Sequence, residues 1–118
     1  SIKRLMSNTT KFTGDDWDFV VTLSQNGQPL DVSGATSIKI QVVDQNSRTP
    51  SILIPSITAS SAYSGANWAN GVVGFSFSAS STSSILSNNA WLEIQKEEGS
   101  KKTTWPRVRF DIAIGTIA

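Results

Sequence analysis

Between Gly14 and Thr36 the chain reads GDDWDFVVTLSQNGQPLDVSGAT, and the first half of that stretch alternates. Trp17, Phe19, Val21 and Leu23 are separated by Asp18, Val20 and Thr22. Strand side chains point to opposite faces with a period of two, so four large apolar groups are committed to one face. Asn26-Gly27 then supplies a turn, because both residues tolerate positive φ. Pro29 fixes its own φ, and Gly34 offers a second bend. A half-buried strand, a turn and a bend are therefore expected in that order.

The same period returns along the chain. Ile38, Ile40 and Val42 alternate with Lys39, Gln41 and Val43, and Asp44 to Thr49 is a polar turn. Ile52, Leu53, Ile54 and Ile57 are interrupted by Pro55, which lacks a ladder donor and places that strand at an edge or on a bulge. Val73, Phe75 and Phe77 share a face in Gly71 to Ser78. Leu92 and Ile94 do so in Trp91 to Lys96, and Val108, Phe110, Ile112 and Ile114 in Thr103 to Ile114. Ser1 to Met6 reads as a short edge strand or an extended arm, guarded by Lys3 and Arg4. Ala79 to Asn89 is the one stretch with helical character, capped by Ser80 or Ser81, with Ile85 and Leu86 plugging the core. About seven short strands with no substantial helix predict an all-β fold. Its natural form is a two-sheet antiparallel sandwich of immunoglobulin-like type, with a closed barrel as the alternative. One domain spans residues 1–118.

Composition narrows the chemistry. About a quarter of the residues are Ser or Thr, which bond to nearby backbone and compete with helix hydrogen bonds. The net charge of +1 offers no broad attraction to nucleic acid or to an anionic membrane. No apolar run reaches the roughly 20 residues of a membrane helix, and the N-terminal stretch lacks the apolar centre of a signal peptide. A start at Ser1 fits removal of an initiator methionine, or trimming of a longer chain. Asn8-Thr9-Thr10 matches a glycosylation acceptor, a short motif that carries little weight without a secretion signal. Cysteine and histidine are both absent. Their absence removes disulfides, the usual zinc sites, Ser-His and Cys-His nucleophiles, and the commonest general base. No catalytic residue, cofactor site or metal site is expected.

Three groups of residues are candidates for a role. Asp15, Asp16 and Asp18 cluster as calcium ligands would, but no glycine or closing glutamate follows at the spacing of a calcium loop. A solvated, charged strand start is the preferred reading. Trp91 and Trp105 have the opposite parity to the core sets of their strands and share it with Glu93, Gln95, Arg107 and Arg109. In a hairpin Glu93 would stand near Arg107, and Trp and Arg are enriched at the energetic centres of protein interfaces. Competing with this face are a bulge at Pro106 that turns Trp105 inward and a loop folded over Trp91. Tyr63 and Trp68, in the long loop Ala59 to Ala69, offer a further contact, or simply pin that loop to the sandwich.

Gly14-Asp15, Phe19, the connection from Gly27 to Ala35 and the strand that follows resemble small β-sandwich domains of tailed-bacteriophage virion proteins. The stretch is similar to the N-terminal domain of upper baseplate proteins and to modules opening tail-fibre proteins. Gly71-Val72-Val73, Asn89 to Gln95 and Thr103 to Ile117 match later parts of the pattern, with Asn89 and Trp91 standing where the family has Gly and Tyr. The resemblance implies a non-enzymatic virion structural module of a tail, baseplate or fibre, assembled in the host cytoplasm. Its partners would be other virion proteins and copies of itself in a trimer or ring, without nucleic acid or membrane insertion. It would be either a free-standing adaptor or the anchor of a longer fibre. The alternative is a carbohydrate-binding sandwich for host-surface glycans, with Tyr63, Trp68, Trp91 or Trp105 as stacking platforms.

Overall fold

The computed structural model of the protein describes residues 10–44, 50–86 and 89–115. The Ser1–Met6 arm, the Asn8 motif and most of the turn after Asp44 lie outside these residues. The strands in order are β1 (Thr10–Phe12), β2 (Trp17–Thr22), β3 (Ser24–Gln25), β4 (Gln28–Pro29) and β5 (Ser37–Asp44). They continue with β6 (Ser51–Thr58), β7 (Val72–Phe77), β8 (Asn89–Glu98), β9 (Lys101–Thr104) and β10 (Val108–Ala113). One helical turn, α1 (Ala79–Thr82), and a 3-10 turn at Trp68–Asn70 complete the described chain.

The main sheet has the order β1-β10-β8-β5-β6, with β9 also pairing β8. A ribbon of β2 and β7 forms a second layer, and β3 and β4 make a separate hairpin. The immunoglobulin-like, all-antiparallel expectation is corrected here, because β1 runs parallel to β10, with Thr10 opposite Asp111 and Phe12 opposite Ala113. The layers are also unequal: six strands face a two-stranded ribbon. The described residues hold ten strands, more than expected. The additions are β1, the short β3–β4 hairpin, and a break that divides the last strand into β9 and β10.

Local chemistry explains the elements. The β2 ribbon buries Trp17, Phe19 and Val21 and exposes Asp18 and Val20, as its alternation demands. Asn26 (φ 53°) and Gly27 (φ 79°) both take left-handed backbone in the two-residue hairpin turn. Pro55 sits in β6, at the sheet edge where its missing N–H is harmless. The β5–β6 register also slips on either side of Val42, so the proline strand is both edge and bulged. Helix α1 follows Ser78, not Ser80 or Ser81, and no Ser78 side-chain cap forms. Asp16 fills the role from across the fold, its Oδ1 accepting the Ala79 N–H at 2.7 Å. Ile85 is buried as expected, but Leu86 is 89% exposed and Ile114 56%. Thr82 is fully buried at the inner side of α1, where its hydroxyl donates to the Asp15 carbonyl at 2.8 Å and accepts the Gly14 N–H.

The core fills the space between the layers. Trp17 meets Phe110 edge-on at 5.6 Å, and Phe19 meets Phe110 at 5.3 Å and stacks on Phe75 at 5.4 Å. Val32, Ile38, Ile40, Val42, Leu92 and Ile94 join them, each fully buried.

Candidate interaction face

The face of the main sheet turned away from the β2–β7 layer is built by register. Along β8, Trp91 stands between Val43 of β5 and Arg109 of β10. Glu93 lies opposite Gln41, and Gln95 between Lys39 and Thr104. Val43 is only 1% exposed although it is not part of the interlayer core, which its large cross-strand neighbours Trp91 and Ile52 explain. The expected ion pair forms: Arg107 brings Nε to 2.9 Å and Nη2 to 2.8 Å of one Glu93 oxygen. The other Glu93 oxygen accepts from Gln41. Arg109 pairs with Asp111 at 3.2 Å, both side chains about half exposed. On the Gln95 side of Glu93, away from Arg109, lies a polar groove of about 180 Å³ lined by Lys39, Gln41, Ser56, Glu93, Gln95 and Thr104. Its floor is hydrogen-bonded, with Gln95 donating to the Thr104 hydroxyl at 3.0 Å.

Trp105 is not on this face. It is 6% exposed and belongs to the core, its backbone N–H donating to the Ile94 carbonyl at 3.1 Å. The register gives the reason. Gln95 pairs Thr104 and Leu92 pairs Val108, so three steps along β8 are matched by four on the other side. One residue is in excess between β9 and β10, at the Trp105–Pro106 step, and a single extra residue inverts side-chain parity. Trp105 therefore points inward while Arg107 and Arg109, beyond the bulge, point outward with Trp91, Glu93 and Gln95.

The long loop is pinned. Tyr63 lays its ring over Gly74, where any Cβ would collide with the ring, and donates its hydroxyl to Asp18 at 2.8 Å. Trp68 packs against the core, its carbonyl accepting the Val32 N–H at 2.8 Å. Neither indole nor phenol is left as an open platform. Asp16 and Asp18 are likewise occupied, by the Ala79 amide and the Tyr63 hydroxyl. Among the described residues no group of three or more His, Cys, Asp or Glu side chains is placed to hold a metal ion.

The Tyr63 hydroxyl, then Ser76 and the Lys11 ammonium, hold the Asp18 carboxyl below its usual range. Burial, then Asp18 itself, raises Tyr63. A depressed carboxyl stabilises the fold above its unfolded pKa, near 3.9, and loses that contribution as pH falls through the lower folded value. Tyr63→Phe is therefore expected to move the Asp18 midpoint upward, read from its carboxyl carbon by NMR titration. An unmoved midpoint would contradict the latch.

No family model and no curated protein sequence matches the chain. Thirteen solved chains match it by structure. One is the N-terminal domain of phage TP901-1 ORF48, at a TM-score of 0.56 and 14% sequence identity, over 87% of this chain and 81% of that one. The fold is that of a phage protein's N-terminal domain. The resemblance read from the Gly14–Ala35 motifs thus agrees with the three-dimensional match. At 14% identity the likeness to ORF48 is one of fold.

Sequence reasoning missed Lys39, Gln41, Ser56 and Thr104 as members of the face. The outward parity of Lys39 and Gln41 was readable, but that of Thr104 and Ser56 is set by the irregularities in their strands, and nothing local says that β5 lies beside β8.

Proposed function

We propose that this domain is a non-enzymatic structural module of a bacteriophage virion, in its tail, baseplate or fibre. It works by docking onto neighbouring virion proteins and onto copies of itself. The observation that carries this reading is the fold shared with the ORF48 N-terminal domain. The outer sheet face supports it with a half-buried Trp91 beside Arg109 and an ordered Arg107–Glu93–Gln41 row, chemistry suited to an interface centre. The absence of His and Cys supports the non-enzymatic part.

The carbohydrate-binding alternative keeps only Trp91 of its four platforms, since Trp105 is buried, Trp68 packs on the core and Tyr63 is held against Gly74. Light scattering on the full chain over a range of concentrations tests the docking reading. Association, or capture of an isolated tail component, is expected. A strict monomer that binds no tail component, yet responds to cell-wall saccharides by tryptophan fluorescence, would reverse the two readings.

A further inference from the structure

Away from the outer face, a cleft of about 330 Å³ opens between the β3–β4 hairpin and β9. Ser24 and Leu30 form one wall, Lys96 and Lys101 the other, with Trp105 and Pro106 between them. The cleft lies where the interlayer core ends. Ile94 and Trp105 are its last apolar pair, linked by the Trp105 amide. One step outward Lys96 stands opposite Thr103, and beyond it Glu98 opposite Lys101. An aromatic floor thus meets two cations within one small space.

The cations are incompletely matched. The Lys96 side chain is only 15% exposed, yet its Nζ lies 3.5 Å from Glu98, whose own side chain is 53% exposed. That separation is long for an N–H···O bond, and an ammonium group carries three donors. Lys101 is exposed and makes no ion pair among the described residues. Strand β9 adds a second invitation. Among the described residues it pairs only with β8, so its other edge presents unpaired backbone beside the cleft.

We propose that this cleft receives an acidic, extended segment of a protein partner. The segment adds along the free edge of β9, sets a Glu or Asp carboxylate between Lys96 and Lys101, and lays a neighbouring apolar side chain over Trp105 and Leu30. Strand addition supplies main-chain hydrogen bonds, and the cleft supplies side-chain selection. A charge-assisted pair to a largely buried ammonium is stronger than a neutral bond. Residues 1–9 contain Lys3 and Arg4 and no acid, so that segment does not supply the carboxylate. This assignment deepens the docking reading and rests on it.

The test titrates the full-length protein with acetyl-Val-Leu-Glu-Val-amide and with its Gln counterpart, following the Trp105 indole N–H and the Lys101–Thr104 amides by NMR. The Glu peptide is expected to shift these signals, and the Gln peptide to bind about tenfold more weakly. Lys101→Met, at an exposed position that tolerates change, is expected to cause a similar loss, as is Lys96→Met. Lys102→Met, on the opposite parity of β9, is expected to leave binding unchanged. Equal binding of the two peptides overturns the proposal, and so does glycerol phosphate shifting the indole where the Glu peptide does not. Absence of peptide binding with self-association intact overturns the cleft assignment and leaves the docking reading standing.

Discussion

Trp17→Ala is expected to lower the unfolding free energy by about 3–5 kcal/mol, the range for deleting a large aromatic from a packed core. Small domains hold about 5–15 kcal/mol in all, so the loss is a substantial share of it. Trp17 is fully buried, meets Phe110 edge-on, and donates its Nε1–H to the Phe12 carbonyl at 2.8 Å. Truncation therefore opens a cavity between the layers and also removes the shorter of two hydrogen bonds to the Phe12 carbonyl at the end of β1, which keeps only the Asp15 N–H at 3.2 Å. Denaturant midpoints measure the effect, with Val20→Ala as the comparison. Val20 lies on the same strand but is 48% exposed, and its loss should stay within about 0.5 kcal/mol. Similar midpoints for the two variants would contradict the assigned faces of β2.

Trp105→Ala and Trp91→Ala should separate just as widely, although both indoles share sequence parity. Trp105 is 6% exposed among core residues, and its loss is expected to cost about 3–5 kcal/mol. Trp91 lies half-buried on the outer face beside Val43 and Arg109. Its truncation should cost the isolated domain clearly less, while weakening association or capture of a tail component by about tenfold or more, the size of an interface hot spot. Chemical unfolding and concentration-dependent light scattering read the two effects independently. A destabilised Trp91→Ala with unchanged association would remove Trp91 from the docking reading.

Trp105 also marks how far the sequence could be read. Its alternation with Arg107 and Arg109 was correct within a single unbroken strand, and the inserted residue beside Pro106 is what made it misleading. A bulge is a relation between two strands: Pro106 marked it as a competing possibility, which the structure bears out, but periodicity along one strand could not decide for it. The same limit hid the β1–β10 parallel pair and the unequal layers, because strand order depends on partners distant in sequence. By contrast, the buried faces of β2, β5 and β7 and the Asn26-Gly27 hairpin followed directly from local chemistry. The face around Glu93 was half legible: the Arg107 pair came from parity on neighbouring strands, whereas Gln41 and Lys39 needed β5 to be set beside β8. Asp16 shows the same division. Its exposure was readable, while its bond to the Ala79 amide joins positions 63 residues apart.

The parallel contact of β1 with β10 has a mechanical meaning. Both strands run the same way, so chain leading into Thr10 and chain leaving Ala113 emerge from opposite ends of the pair. Tension applied along that line slides the two strands lengthwise and loads their cross-links together. A hairpin pulled from its open end would instead surrender them one at a time. The Thr13 amide to the Ala113 carbonyl at 3.0 Å and the Gly115 amide to the Thr13 hydroxyl at 2.9 Å extend the clamp beyond the strands themselves. Forced unfolding is governed by the rate of leaving the native state, and a clamp loaded lengthwise is where such a barrier is highest. Threaded between two larger bodies, the domain would behave as a stiff link.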